Sequence, residues 1–230
     1  MLSTLLQTDI VDIAAQPEVQ SISILEMATK GGWIMVLLLV LSLVAIFIFG
    51  KKWWMIAQAG KIDKNFMNDI RDYIHDGKIK SAQTLCSKYD TPVARMVETG
   101  IARIGRPLGD IQTAVDNVGN AEVARLEKGL PYLATIAGGA PMLGFLGTVI
   151  GMVMAFDQIQ QAGDISPTIV ASGMKVALIT TIFGIIVALI LQVFYNYILS
   201  KIEHIISQME ESSITLMDII AKYKHENQAS

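Results

Sequence analysis

The sequence predicts an all-α integral membrane protein with three transmembrane helices, two of them long and extending into a cytoplasmic helical bundle. Three observations lead there. Of 230 residues, 52% are apolar and only 17% charged, which leans away from an ordinary soluble domain. The apolar excess is gathered into three blocks, near residues 32–49, 132–156 and 176–199. Elsewhere apolar residues recur at spacings of three and four, as in Ile101, Ile104 and Leu108, which reads as helix and not strand.

The first block, GWIMVLLLVLSLVAIFIF, carries no charge over 18 residues. At about 1.5 Å per residue that nearly crosses a hydrocarbon core of roughly 30 Å. One such helix fits a buried soluble core; three together point to a membrane. The chain therefore divides into an extracytoplasmic N-terminal segment (1–30), a first span (31–50) and a cytoplasmic helical domain (51–130). A second span (131–156), an extracytoplasmic turn (157–167), a third span (168–199) and a cytoplasmic C-terminal helix (200–230) complete it. Within 1–30, Ile22, Leu25, Met27 and Ala28 interleave with Ser21, Ser23, Glu26 and Lys30. That is a short amphipathic pattern suited to the membrane surface. Residues 1–15 lack a basic start and a continuous apolar run, so the first span is expected to serve as its own insertion signal.

Basic residues set the orientation. Thirteen Lys or Arg lie between Lys51 and Lys128, and three more lie in the tail from Lys201; only Lys30 and Lys175 remain. The positive-inside bias then places 51–130 and 201–230 in the cytoplasm. The turn between spans two and three holds Asp157 and Asp164 and no cation. Trp53 and Trp54 beside Lys51 and Lys52 read as interface anchors.

In the polar part, Asp76-Gly77, Asp90-Thr91-Pro92 and Gly105-Arg106-Pro107 interrupt the helical pattern. From Leu108 the pattern runs on through Ile111, Val115, Val118, Val123, Leu126 and Leu130 into span two, with Pro131 as the one expected kink. Span three runs likewise into Ile202, Ile205, Ile206 and Met209.

Small residues mark the second and third spans. Ala140, Gly144, Gly147, Gly151 and Ala155 fall at four and three, with Thr148 on the flank; Ala177, Thr181, Gly184, Ala188, Gln192 and Tyr195 do the same in span three. Such stripes let helix backbones approach closely in lipid, and a polar, small face is expected to look toward protein or water. Two readings stand: a helix-packing face, or the lining of a pore. A threonine in a span can also satisfy its hydroxyl on its own helix backbone.

No Asp, Glu or His lies in the core of any of the three spans, and Lys175 sits at the outer end of span three, where it can snorkel. A proton path normally needs a titratable group at membrane depth. If this chain conducts protons, a partner helix has to supply the carboxylate.

The residues from Glu122 through Gly129, Pro131 and Thr135, followed by Ala140-Pro141-Met142-Leu143-Gly144-Phe145-Leu146-Gly147-Thr148-Val149-Ile150-Gly151, resemble the MotA/TolQ/ExbB proton-channel family. Ala177-Leu178-Ile179-Thr180-Thr181-Ile182-Phe183-Gly184, ending in Tyr195-Asn196, is similar to the matching ExbB/TolQ segment. The resemblance covers about residues 20–210. It implies an ExbB-like biopolymer transport protein of the bacterial inner membrane, a homopentamer around a dimer of one-span ExbD/TolR-type proteins. An Asp of that partner carries the proton, and a TonB-type protein is energised for transport across the outer membrane. Family threonines facing the partner helix map onto Thr148 and Thr181, and Thr180 is expected to share that pore-facing proton path. Several relatives carry a Glu five residues before the span-three threonine; here that position is Val176, with Lys175 beside it as an electrostatic substitute or a plain interface anchor.

A TolQ-like subunit for envelope integrity shares the mechanism. The flagellar-stator branch, usually with four spans, fits less well. From a different class, a passive membrane scaffold predicts that Thr→Val is tolerated. Enzyme chemistry lacks a readable nucleophile–base pair, phosphate loop or metal cluster, and no cofactor is implied. A net charge of −3 with scattered cations gives no support for nucleic-acid binding. Cys86 is the only cysteine and reads as a small buried residue; His75, His204 and His225 show no ligand spacing.

Overall fold

The computed structural model describes residues 32–61, 63, 65–163 and 166–229, with side chains to residue 226. The amphipathic pattern expected in 1–30 lies outside the described residues. Seven helices follow in order: α1 (Gly32–Ala59), α2 (Phe66–His75), α3 (Ile79–Lys88), α4 (Pro92–Ile101), α5 (Leu108–Glu127), α6 (Leu130–Ala162) and α7 (Pro167–Ala229). Among the described residues there is no strand. Three runs among the described residues are long and apolar enough to cross a membrane: α1, α5 with α6, and α7.

The helices of the polar part end where the backbone chemistry directs. Gly77 takes φ +72° just after α2, and Gly105 takes φ +103° between α4 and α5, values open to glycine at little steric cost. Thr91 caps α4, its hydroxyl oxygen accepting the Ala94 N–H at 3.3 Å, and Pro92 occupies the first turn, where no intrahelical donor is needed.

Two boundaries differ from the sequence expectation. The break before the second span falls at Gly129, with φ +95°, while Pro131 sits harmlessly in the first turn of α6. The turn expected over 157–167 is shorter. Helix α6 continues to Ala162, assisted by Gln161 donating to the Asp157 carboxylate at 2.8 Å. It stops at Gly163, whose left-handed backbone donates to Ile159 O.

Helix α7 is 63 residues long and joins two environments. Its first half pairs with α6 and with α1, which buries Ile34, Met35, Leu38 and Ala45 and leaves Val36, Leu39, Leu43 and Phe47 exposed. Its second half forms the spine of the polar end, where Ile202, Met209, Leu216 and Ile220 meet Ile70 and Ile74 of α2 and Val97 and Ile101 of α4 in one core. Gly100 is required there: a Cβ on it would come within 2.6 Å of the Leu216 side chain.

Two charged groups are used internally. Arg95 on α4 donates through Nε and Nη2 to the two carboxylate oxygens of Glu122 on α5, at 2.9 and 2.7 Å, and also pairs with Asp90. Glu122 is nearly enclosed, and its hydrogen bonds hold the Arg95 guanidinium charged, above its already high ordinary range. Lys52, expected as an interface anchor, is instead 7% exposed and donates from Nζ to Leu126 O at 2.8 Å. It thereby closes an orphan carbonyl at the end of α5, where a cation is favoured.

Cys86 on α3 is 1% exposed, and burial, with Glu98 nearby, pushes its thiol up to about 12. The thiolate needed for alkylation is therefore scarce in the folded chain at pH 8. Iodoacetamide should leave Cys86 unlabelled in the native protein and label it fully in denaturant. Because the folded pKa is raised, this group's stabilising contribution is present below about pH 9 and fades as pH rises toward 12.

Candidate functional site: the α6–α7 wall

The candidate residues lie along the contact between α6 and α7, which run antiparallel across the apolar region. Every small residue of the α6 stripe is buried there: Ala140, Gly144, Gly147, Gly151 and Ala155. The facing stripe of α7 is Ala177, Thr180 and Gly184, all buried, with Thr181 half-buried. The fit is close enough to exclude a methyl group. A Cβ on Gly147 would lie 2.2 Å from Thr180 Oγ1, and one on Gly184 would lie 2.7 Å from Ala140 O. On Gly144 it would meet Thr180 O at 3.0 Å and Thr181 Cα at 3.1 Å.

The three threonines fall into different environments. Thr180 is fully enclosed, sunk into the space left by Gly147, and its hydroxyl reaches Ala177 O at 2.8 Å, with Gly144 O across the contact at 3.4 Å. The expectation that Thr180 shares a pore face is therefore corrected: α6 of the same chain already covers it. Thr181, half-buried at the edge, donates to Gly144 O at 3.1 Å. Thr148, also half-buried, donates to Phe145 O of its own helix at 2.6 Å. One helical turn separates Gly144 from Thr148, so both partly open hydroxyls lie along the same flank of α6.

The remaining candidates are spread along α7. Ala188 is buried in a cluster with Ile34, Leu38, Ala140 and Ile179. Gln192 is exposed, its amide 3.5 Å from Asn196 Oδ1, and Tyr195 packs partly against the core of the polar end. Lys175 is exposed at the far end of the helix. The stripe also includes Gly173, absent from the sequence expectation, where a Cβ would lie 2.3 Å from that of Ala155. Its position four residues before Ala177 was the available signal.

Electrostatically the wall is neutral. Residues 133–156 of α6 and 176–200 of α7 include no Asp, Glu, Lys, Arg or His. Among the described residues no group of three His, Cys, Asp or Glu side chains is placed to hold a metal ion. The wall can offer hydroxyl and carbonyl oxygens to a guest; it holds no proton acceptor that titrates near neutral pH.

The sequence matches known proteins over the same region. Residues 88–211, which span the polar helices α4 and α5, all of α6 and most of α7, match the MotA/TolQ/ExbB proton channel family. The chain belongs to that family. A putative biopolymer transport protein ExbB homolog of Methanothermobacter thermautotrophicus is 29% identical over 189 residues, covering 82% of this chain and 67% of the relative. The biopolymer transport protein ExbB of Aquifex aeolicus is 36% identical over 77 residues, 34% of this chain and 52% of the relative. The Tol-Pal system protein TolQ of Haemophilus influenzae is 38% identical over 77 residues, 34% of each chain. Family membership makes this a multi-pass membrane protein of a transport class, and α1, α5–α6 and α7 are its candidate crossings.

The glycine contacts yield a direct test. Gly147→Ala and Gly184→Ala force heavy atoms below contact distance and should each cost about 1–3 kcal/mol through overpacking. Gly138→Ala and Gly139→Ala meet nothing within 4 Å and should be neutral or slightly stabilising through helix propensity. Thermal unfolding in detergent separates the two pairs.

Proposed function

We propose that the chain is the ExbB-like subunit of a proton-driven motor in the bacterial inner membrane, with a periplasmic N-terminus and a cytoplasmic C-terminus. It forms a homopentamer around a dimer of ExbD/TolR-type one-span proteins and energises a TonB-type protein for transport across the outer membrane. The observation that carries this reading is the α6–α7 wall: long, apolar, bearing threonine hydroxyls, and without an Asp, Glu, His, Lys or Arg over residues 133–156 and 176–200.

A titratable carrier is required for proton transfer at membrane depth. In this proposal a carboxylic acid on the partner helix moves past Thr148 and Thr181, whose hydroxyls solvate it in turn. The neutrality of the wall keeps the partner's carboxyl the sole proton-binding group, so no fixed charge traps it. Thr180 holds the wall together from behind. Ala177, Gly184 and Ala188 serve as packing residues, while exposed Gln192 continues the polar edge and Tyr195 anchors its lower end. Lys175, beside the Val176 position at which several relatives carry Glu, marks the exit with a positive charge.

A TolQ-like role is supported by the local match to the TolQ relative, 38% identical over 77 residues beside 36% over 77 residues for the Aquifex aeolicus ExbB. The two readings share the wall and differ in the partner. Which one-span protein co-purifies with the chain, and whether its loss impairs energised uptake or envelope integrity, separates them.

Thr148→Val with Thr181→Val tests the wall. Each hydroxyl interacting with a charged or nearly charged group contributes about 1.5–3 kcal/mol, so proton flux into proteoliposomes of the co-purified complex should fall by roughly tenfold or more. Subunit ratio should be preserved, and Thr148→Ser with Thr181→Ser should retain flux. Undiminished flux in the valine variant would assign both threonines to packing, as the passive-scaffold reading holds.

A further inference from the structure

A groove at the junction of the apolar and polar parts of the molecule has no role in the α6–α7 wall. It lies between the end of α1 and the middle of α7, walled by Trp53 and Ile56 on one side and Tyr197 and Ile205 on the other. Gly60 keeps its rim low. The side chains of Lys61, Lys201 and His204 border it, and among the described residues no acidic one lines it.

Its depth in the membrane follows from the sequence of both helices. On α1 the uncharged run ends at Gly50 and cations begin at Lys51; on α7 the uncharged run ends at Ser200 and cations resume at Lys201. Both transitions meet at this groove, which is therefore level with the lipid headgroups. Aromatic contacts lead into it from the apolar side. Phe49 stacks on Phe194 at 4.3 Å, and Trp53 stacks on Tyr197 at 4.9 Å.

We propose that this groove is a binding site for an anionic phospholipid, its phosphodiester held among Lys61, Lys201 and His204 and its acyl chains descending past Phe49 and Phe194. Charge decides the headgroup. A zwitterionic lipid brings a quaternary or primary ammonium that needs a carboxylate or an open aromatic face. No carboxylate lines the groove. The Trp53 and Tyr197 faces are stacked on each other, and Lys201 Nζ sits 5.9 Å from the Tyr197 centroid. An anionic headgroup meets no such conflict. A bilayer lipid, as opposed to a soluble phosphate, fits because the Trp53–Tyr197 stack borders the groove and the Phe49–Phe194 stack follows it toward the apolar run. This inference requires the membrane placement of α1 and α7 but not the proton-driven reading of α6.

Native mass spectrometry of the full chain in neutral detergent, titrated with phosphatidylglycerol and with phosphatidylcholine of matched acyl chains, tests the site. The parent should retain phosphatidylglycerol preferentially. Basic residues at an anionic membrane surface act at about fivefold in affinity each, so Lys61→Gln with Lys201→Gln should reduce the preference by roughly 25-fold, and each single variant by about fivefold. Lys61→Arg with Lys201→Arg should keep it, as should Lys78→Gln with Lys80→Gln at a distant exposed site. Glycerol 1-phosphate should not displace the lipid. An unchanged preference in the glutamine variants overturns the proposal. So does an equal loss in the Lys78/Lys80 control, which would indicate diffuse surface charge, or displacement by glycerol 1-phosphate, which would indicate a soluble-phosphate site. If the double glutamine variant is not recovered folded, the two single variants carry the same comparison.

Discussion

The backbone-to-backbone approach of α6 and α7 determines most of what this chain can do. In lipid the hydrophobic effect gives two helices little reason to associate, because tails and leucines are equally apolar. Attraction comes from close packing, and close packing requires the absence of side chains on both faces. Gly144, Gly147 and Gly151 on one helix and Gly173 and Gly184 on the other supply that absence. Once the helices are so close, a hydroxyl can reach a carbonyl of the opposite helix, which is what Thr181 does to Gly144. The sites of the threonines are thus consequences of the glycines. Thr180 fills the gap that Gly147 leaves, and Thr148 and Thr181 stay at the margin, half-open.

The same contact is transmitted to the polar end because α7 does not break. A single helix of 63 residues passes from the close-packed region into the core formed with α2, α4 and α5. Rotation or tilt of α7 in the apolar region must therefore be accommodated at Leu216 and Ile220, unless the helix itself bends. Helix α6 lacks such continuity. Gly129 separates it from α5, and Lys52, reaching from α1 to the Leu126 carbonyl, ties that joint to the first helix. The part-buried Arg95–Glu122 pair then fixes α5 to α4; removing Arg95 would strand the Glu122 carboxylate in a poorly solvated site. One rigid strut and one jointed strut, bound along a glycine seam, summarise the mechanical layout.

How much of this was legible in the sequence depended on whether the determining interaction was local. The breaks at Gly77, Pro92 and Gly105 were readable because turn chemistry acts within a few residues. Both small-residue stripes were readable because helical periodicity aligns them. Thr180 was not separable from Thr181, since neighbours on a helix differ by about 100° in facing and the stripe gives no finer resolution. The burial of Lys52 was also hidden: beside Trp53 it looks like an interface anchor, and only the position of the α5 terminus, 74 residues away, makes it a cap. The end of α6 lies beyond the end of the apolar run for a milder reason. Asp157 and Gln158 mark the end of apolarity, but polar residues with good helix propensity carry the helix on to Gly163.

The neutrality of the wall has one further consequence. Burying an unpaired charge at membrane depth is costly, and a chain that stored a carboxylate on α6 or α7 would meet that cost whether or not its partner was present. In the proposed complex, placing the titratable group on the partner helix defers the cost until the pore is assembled, when hydroxyls and carbonyls are in position to solvate it. The threonines then have a reason to be threonine and not aspartate. They are adequate partners for a protonated carboxyl, modest ones for an ionised carboxylate, and harmless when facing lipid or each other. Thr148 and Thr181 each satisfy their own hydrogen on a backbone carbonyl in the single chain, which is the state such a chain needs to insert and fold before it meets its partner. On this argument the absence of charge is a requirement of assembly order as much as of conduction.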